Sequence, residues 1–349
     1  MRTEIGQQPA ALRATLAALM PRGGEAAALA RDCHQVLFIA RGTSDNAAVY
    51  GSYLLQAHAG MLATLASPSI ATEYHSRIDL SGVLAVALSQ SGATEEIVET
   101  LAWARDGGAR TLAITNGGGS PLTQVADVAF VTAAGAELAV QATKTFTTQL
   151  AALAVLAIAL GAGLDPGLLR AVPDEIERML AAPDDITPMV DAMAGDDPAA
   201  RSPSPANGVV VSGRGHAYAA ALELALKLKE ACYLHAMGLS WADLLHGPIA
   251  VVDASTPAII VAADSGPALP GSIELARRVV AAGARAYTIG GGPGLAEASS
   301  LAVPGPRLPE WLAPLGLIVP GQLLTEALSR RLGIDPDSPR GLSKVTQTA

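Results

Sequence analysis

The chain has 349 residues, half of them hydrophobic and 16% charged, which supplies apolar material for two cores and excludes a disordered chain. A net charge of −9 argues against nucleic acid or an anionic membrane as a partner. Two cysteines, Cys33 and Cys232, are too few for a disulfide framework and read as small buried hydrophobes.

The opening MRTEIGQQPAALRATL is polar with helical spacing and has no apolar leader core. VLFIA from Val36 reads as a strand, followed by the turn Arg41-Gly42-Thr43-Ser44 and a helix of small residues. VLAVAL from Val83 shows no polar alternation, as expected for a strand covered on both faces, and runs into Ser89-Gln90-Ser91-Gly92-Ala93-Thr94 and a helix from near Glu95. TLAIT is a further strand, and Gly117-Gly118-Gly119 is a loop. The apolar run LAALAVLAIALGAG, from Leu150 to Gly163, falls short of the roughly 18–20 residues of a membrane span and reads as a buried helix. The Pro- and Asp-rich stretches AAPDDITP and AGDDPAARSPSPANG mark a linker, with a helix around Ile176–Leu180 and a boundary between Pro183 and Asn207. Beyond it come the strand VVVSG, the helix AYAAALELALKLKEACYLH, the turn His246-Gly247-Pro248, a strand IAVV, and the strands AIIVAA and AYTIG.

The halves resemble each other. Arg41-Gly42 aligns on Arg214-Gly215, Ser91-Gly92 on Ser265-Gly266, and Gly108-Ala109-Arg110 on Gly283-Ala284-Arg285, at offsets of 173, 174 and 175 residues. Three anchors in order at a nearly constant offset indicate a tandem duplication. Strands alternating with helices imply an α/β fold with parallel sheets flanked by helices.

Ligands of such sheets collect beyond the carboxyl ends of the strands, so the loops there carry the argument. Ser89 to Thr94 place hydroxyls and an amide at a helix start, which is either an ordinary cap or an anion site fit for phosphate. Thr43 and Ser44 add donors at the same sheet end. The corresponding loop of the second half, Ala263-Asp264-Ser265-Gly266, carries a carboxylate that would repel phosphate. In the second half, Glu223, Lys227 and Glu230 share one helix face, as a solvated stripe or as a general base with its lysine in an apolar wall. His246, next to a chain reversal, is either structural or a proton shuttle. The histidines are scattered, with no HExxH pattern and no cysteine pair at zinc spacing, and neither GxGxxG nor a P-loop is present, so no metal or cofactor is expected.

ARGTS, LSQSGATEE, QATKTFTTQLA, ALELALKLKE, LLHGPIAVVD and the tail Lys344 together resemble the sugar isomerase (SIS) family. The likeness is to the tandem-SIS isomerase half of glucosamine-6-phosphate synthase, and the ending LSKVTQT is more similar to stand-alone SIS-type glucosamine-6-phosphate deaminases. The resemblance implies two flavodoxin-like SIS domains: an N-terminal helical segment (1–23), SIS domain 1 (24–165), a helical linker (166–206), SIS domain 2 (207–334) and a tail with Lys344 (335–349). It implies that Thr43, Ser44, Ser89, Gln90, Ser91 and Thr94 hold a sugar phosphate, and that Glu230 moves a proton between C1 and C2 beside Lys227. By the same resemblance His246 assists ring opening across a homodimer interface, and Lys344 approaches the open-chain sugar. Met237 stands where the synthase has a second glutamate, and Leu245 where it has a lysine; with no glutaminase segment and no N-terminal nucleophilic cysteine, glutamine hydrolysis is not expected. The implied activity is a cytoplasmic glucosamine-6-phosphate deaminase. The alternatives are galactosamine-6-phosphate deamination, fructosamine-6-phosphate deglycation, ammonia-dependent glucosamine-6-phosphate synthesis, or a non-catalytic sugar-phosphate-binding regulator.

Overall fold

A computed structural model describes residues 1–181, 186–195, 208–342 and 344. Two parallel five-stranded sheets organise it, one in each half of the sequence. The first contains β1 (Gln35–Ile39), β2 (Leu62–Leu65), β3 (Val83–Ser89), β4 (Arg110–Thr115) and β5 (Val128–Val131), in the spatial order β2-β1-β3-β4-β5. The second contains β6 (Gly208–Gly213), β7 (His235–Ser240), β8 (Ala258–Ala262), β9 (Ala286–Gly290) and β10 (Leu301–Val303), in the order β7-β6-β8-β9-β10. Strand for strand, the second order repeats the first, so the duplication holds at the level of topology.

The central strands explain the uninterrupted apolar runs. All seven residues of β3 are buried, between β1 and β4 in the sheet and under helices on its faces. Ala85 and Ala87 belong to a cluster with Ile97, Leu101 and Ala104 of the Glu95–Asp106 helix. Small residues also set the spacing of the Thr43–Leu54 helix: a Cβ on Gly51 would lie 2.8 Å from both Leu153 and Phe38, so only glycine permits that approach. The run from Leu150 lies in the Lys144–Ala159 helix, buried from Lys144 to Ala157. Among the described residues, no helix is long and apolar enough to cross a membrane.

Contacts divide the chain into two compact units. One comprises Gln7–Glu137, Lys144–Pro173 and, from the tail, Lys344; the other comprises Met1–Gly6, Leu138–Thr143 and the described part of Asp174–Leu342.

Three sequence expectations need correction. IAVV is not a strand, because Pro248–Val251 form a 3-10 turn and Val251 is 43% exposed. Gly247 at φ +129° turns the chain, and Pro248, lacking an N–H, starts the helical turn where no donor is needed. The helix expected around Ile176 instead runs Pro166–Ala181. Its buried Leu169, Val172, Ile176 and Met179 follow 3-4-3 spacing, and Pro173 inside it disguised the first two turns as linker. The helix of the second half spans Tyr218–Cys232, since Tyr233 adopts φ +56° and ends it, leaving His235 to open β7. Of the expected boundary, residues 183–185 and 196–207 lie outside the described residues, as do tail residues 343 and 345–349.

Candidate active site

In the first sheet the strand order reverses between β1 and β3, where an open α/β sheet leaves a crevice beyond its carboxyl edge. The loops that leave these two strands carry Thr43, Ser44 and Ser89 to Thr94, so the structure brings all six expected phosphate residues to one sheet edge. Within the second loop, the Gly92 N–H donates to Ser89 Oγ at 3.2 Å and the Ala93 N–H to Ser91 Oγ at 3.2 Å. Ser89 Oγ and Thr94 Oγ1 lie 3.3 Å apart. Thr94 occupies the N-cap position of the Glu95–Asp106 helix in extended conformation, yet its side chain makes no capping bond. The Thr94 side chain therefore does not supply the ordinary cap, and the hydroxyls of Ser89 and Ser91 bond the loop's own Gly92 and Ala93 amides instead.

The loop is fixed from behind. Gln90 O accepts from the Asn116 N–H, and Gly92 O from the Leu122 N–H. Gly92 sits at φ +67°, and a Cβ there would lie 2.1 Å from Ser120 Oγ. Left-handed backbone alone costs a non-glycine residue about 1–2 kcal/mol. Gly92→Ala is thus expected to lower unfolding stability by more than that in a urea titration; a loss under about 0.5 kcal/mol, the range of neutral surface changes, would contradict this geometry.

Two residues that sequence reasoning passed over tie the loops together. Arg41, after β1, bonds Glu96 of the helix after β3 through Nε at 3.0 Å and Nη2 at 2.9 Å. Gln149, fully inside the Lys144–Ala159 helix, donates from Nε2 to Ser44 Oγ at 2.9 Å. The available signal was the polar front of that otherwise apolar helix, Lys144 to Gln149.

Lys344 falls in the same unit. Its Nζ lies 2.8 Å from Glu137 Oε2, a side chain that is completely buried. Glu137 also accepts from Thr145, at 3.1 Å from N–H and 2.6 Å from Oγ1. Lys144, buried beside it in sequence, donates to Gln7 Oε1 at 2.7 Å and Ala136 O at 2.6 Å. A lone glutamate in coil gave no sequence signal for this cluster.

In the second unit, Glu223, Lys227 and Glu230 do not form a solvated stripe. Glu223 is 0% and Lys227 1% exposed, whereas Glu230 is 25% exposed. Lys227 Nζ donates to Glu230 Oε2 at 2.6 Å and lies 3.4 Å from Glu223 Oε1. Burial opposes the Lys227 ammonium, but the two carboxylates outweigh it and raise its pKa above the ordinary lysine value. The result is a buried ammonium held against a partly exposed carboxylate. His246 is exposed at the end of the short Trp241–Leu245 helix, and the structure draws no hydrogen bond from it to Lys227 or Glu230. Of the two departures, Met237 is exposed on β7, and Leu245 packs against the core cluster under β8.

The second sheet reverses order between β6 and β8, and the loops there have different chemistry. Asp264 Oδ1 accepts from the Gly292 N–H at 3.1 Å, and His216 Nδ1 lies 3.8 Å from Glu310 Oε1. Burial pushes the Glu310 carboxyl upward. Carboxylates at this edge leave the hydroxyl-lined crevice of the first sheet without a counterpart.

These features coincide with a known family. Residues 29–159 and 204–296 match the SIS domain, and the chain belongs to the SIS domain family. The isomerizing glutamine–fructose-6-phosphate aminotransferase of Pyrococcus horikoshii is 33% identical over 351 residues, which cover 99% of this chain and 57% of that protein. The chain therefore spans little more than half the length of that relative. Among solved structures, a protein of Silicibacter pomeroyi DSS-3 provisionally described as a phosphosugar isomerase matches with a TM-score of 0.85 at 32% identity, covering 97% of this chain and 99% of that one. Glucosamine-6-phosphate deaminase of Thermotoga maritima gives a TM-score of 0.78 at 22% identity over 99% of both chains, a likeness that carries the fold alone.

Proposed function

We propose that the chain is a phosphosugar isomerase acting on amino sugar phosphates, and that its reaction is the deamination of glucosamine 6-phosphate to fructose 6-phosphate and ammonia. The observation that carries the reading is the Lys227–Glu230 pair: a carboxylate exposed enough to meet a substrate, held at 2.6 Å by a buried lysine. The hydroxyl loop of Ser89 to Thr94, with Thr43 and Ser44, holds the phosphate through its hydroxyls at a helix start.

In this mechanism His246 assists ring opening, offered across the interface of a homodimer, and the aldehyde formed at C1 acidifies the C2 proton. Glu230 accepts that proton, giving an enolamine, and returns it to C1. The product carries a C2 imine, which water converts to the ketone with release of ammonia. The charged Lys227 fixes the Glu230 carboxylate through its 2.6 Å bond. Lys344 approaches the open-chain carbonyl.

The test is incubation of purified protein with glucosamine 6-phosphate and galactosamine 6-phosphate, with ammonia and ketose phosphate measured separately. Ammonia and fructose 6-phosphate in equal amounts from the gluco substrate are the expected result. Tight binding of both sugars without ammonia from either would overturn the deaminase reading and favour a silent binding protein.

A further inference from the structure

Glu137 stands in the coil between β5 and the Lys144–Ala159 helix, with its carboxylate wholly shielded from solvent. A buried charge must be matched by donors or by an opposite charge. Part of the match is local: the N–H and hydroxyl of Thr145 meet Oε1 and Oε2 at 3.1 and 2.6 Å, so Glu137 caps the start of a buried helix. An opposite charge comes from Lys344 Nζ at 2.8 Å, 207 residues further along the chain.

The same helix connects this cluster to the hydroxyl loops. Gln149 follows Thr145 by four residues and so lies on the same face, about 6 Å further along the axis. Its amide holds Ser44 Oγ at 2.9 Å. One turn of a helix buried at both positions thus separates the contact to the tail ammonium from the contact to the first loop.

We propose that Glu137 is a positioning residue for Lys344. Through Thr145 and Gln149 it fixes the tail ammonium at a set distance from the Ser44 side of the hydroxyl crevice, where a sugar anchored by its phosphate presents its carbonyl end. The helix needs only an acceptor at this place, which a glutamine side chain also supplies. Lys344 needs the negative charge. The inference rests on the assignment of the hydroxyl loops to the phosphate given above, and its test separates the two.

The experiment compares full-length wild type with Glu137→Gln, Glu137→Asp, Lys344→Gln and the double variant Glu137→Gln/Lys344→Gln. Trace acetylation followed by peptide mass spectrometry reads the freedom of Lys344 without any turnover. In Glu137→Gln, Lys344 is expected to acetylate several-fold faster than in wild type. With glucosamine 6-phosphate, kcat is expected to fall by about 10- to 100-fold, the scale of a small misplacement of a reacting group. KM and competitive inhibition by inorganic phosphate should stay within about twofold, because the phosphate loop is untouched. Glu137→Asp should recover part of the loss, and the double variant should be no worse than Lys344→Gln alone. Unchanged acetylation in Glu137→Gln, or losses that multiply in the double variant, would overturn the proposal. If wild type turns over no amino sugar phosphate, the functional reading fails, while the acetylation rates still decide whether Glu137 holds Lys344. If Glu137→Gln does not fold, the helix needs the charge itself, and the proposed separation of roles is wrong.

Discussion

Glu230→Gln is expected to lower kcat for ketose formation by about 10²- to 10⁴-fold, the usual contribution of a general base, while KM changes little. Glutamine preserves the volume of the side chain and can still accept the bond from Lys227, so the fold should survive. What it cannot do is take the C2 proton. Exchange of the C2 proton with heavy water, followed by NMR, gives a second readout that does not depend on ammonia release. A variant that keeps wild-type turnover or wild-type exchange would remove Glu230 as the base and leave the buried pair with a structural role only.

The second large effect concerns stability. Lys227→Met removes the cation that lies between Glu223 and Glu230 and strands the Glu223 carboxylate, which is fully buried. Removing one partner from such a pair costs about 3–5 kcal/mol, most of it the penalty of the charge left behind. Glu223→Gln/Lys227→Met should recover much of that loss, since no buried charge then remains. The dependence on pH follows from the raised Lys227 pKa. The stabilisation is complete below the pKa of an unfolded lysine, about 10.4, and disappears as pH rises through the still higher folded value. The gap between wild type and Lys227→Met in urea unfolding should therefore persist at pH 7, narrow in strong alkali as Lys227 loses its proton, and narrow in acid as the stranded Glu223 takes one up. A gap below about 1 kcal/mol at pH 7 would mean that water reaches the Lys227 site.

The sheets were legible because strands buried on both faces leave continuous apolar runs, and VLAVAL and AIIVAA required no other information. The duplication was legible because the same turns recur at matched offsets. IAVV misled for the same reason: four apolar residues carry no period, and the outcome was decided by the backbone at Gly247. The residues proposed for the phosphate could be grouped from sequence because they are contiguous within each loop. Glu137 could not, since its partner lies 207 residues away and its neighbours in sequence are apolar or small. The burial of Glu223 was also hidden, because a Glu–Lys spacing of four looks the same on a wet helix face as on a dry one.

The pairing of Arg41 with Glu96 has a consequence for how a substrate arrives. If the hydroxyl loops hold the phosphate as proposed, with that guanidinium paired the crevice offers an anion mainly hydroxyl dipoles, whose pull is short-ranged, while the chain as a whole carries −9. On the proposed function, a doubly charged sugar phosphate is repelled as it comes within about a Debye length of the acidic chain, about 10 Å at 0.1 M salt, and is held only on contact. Raising ionic strength should accelerate capture and leave the dissociation rate nearly constant in stopped-flow measurements, the reverse of a lysine-lined phosphate site. Capture that slows with added salt would point to a cation at the crevice mouth. On that reading, dilute buffer is the condition in which an anionic substrate is scarcest at the door.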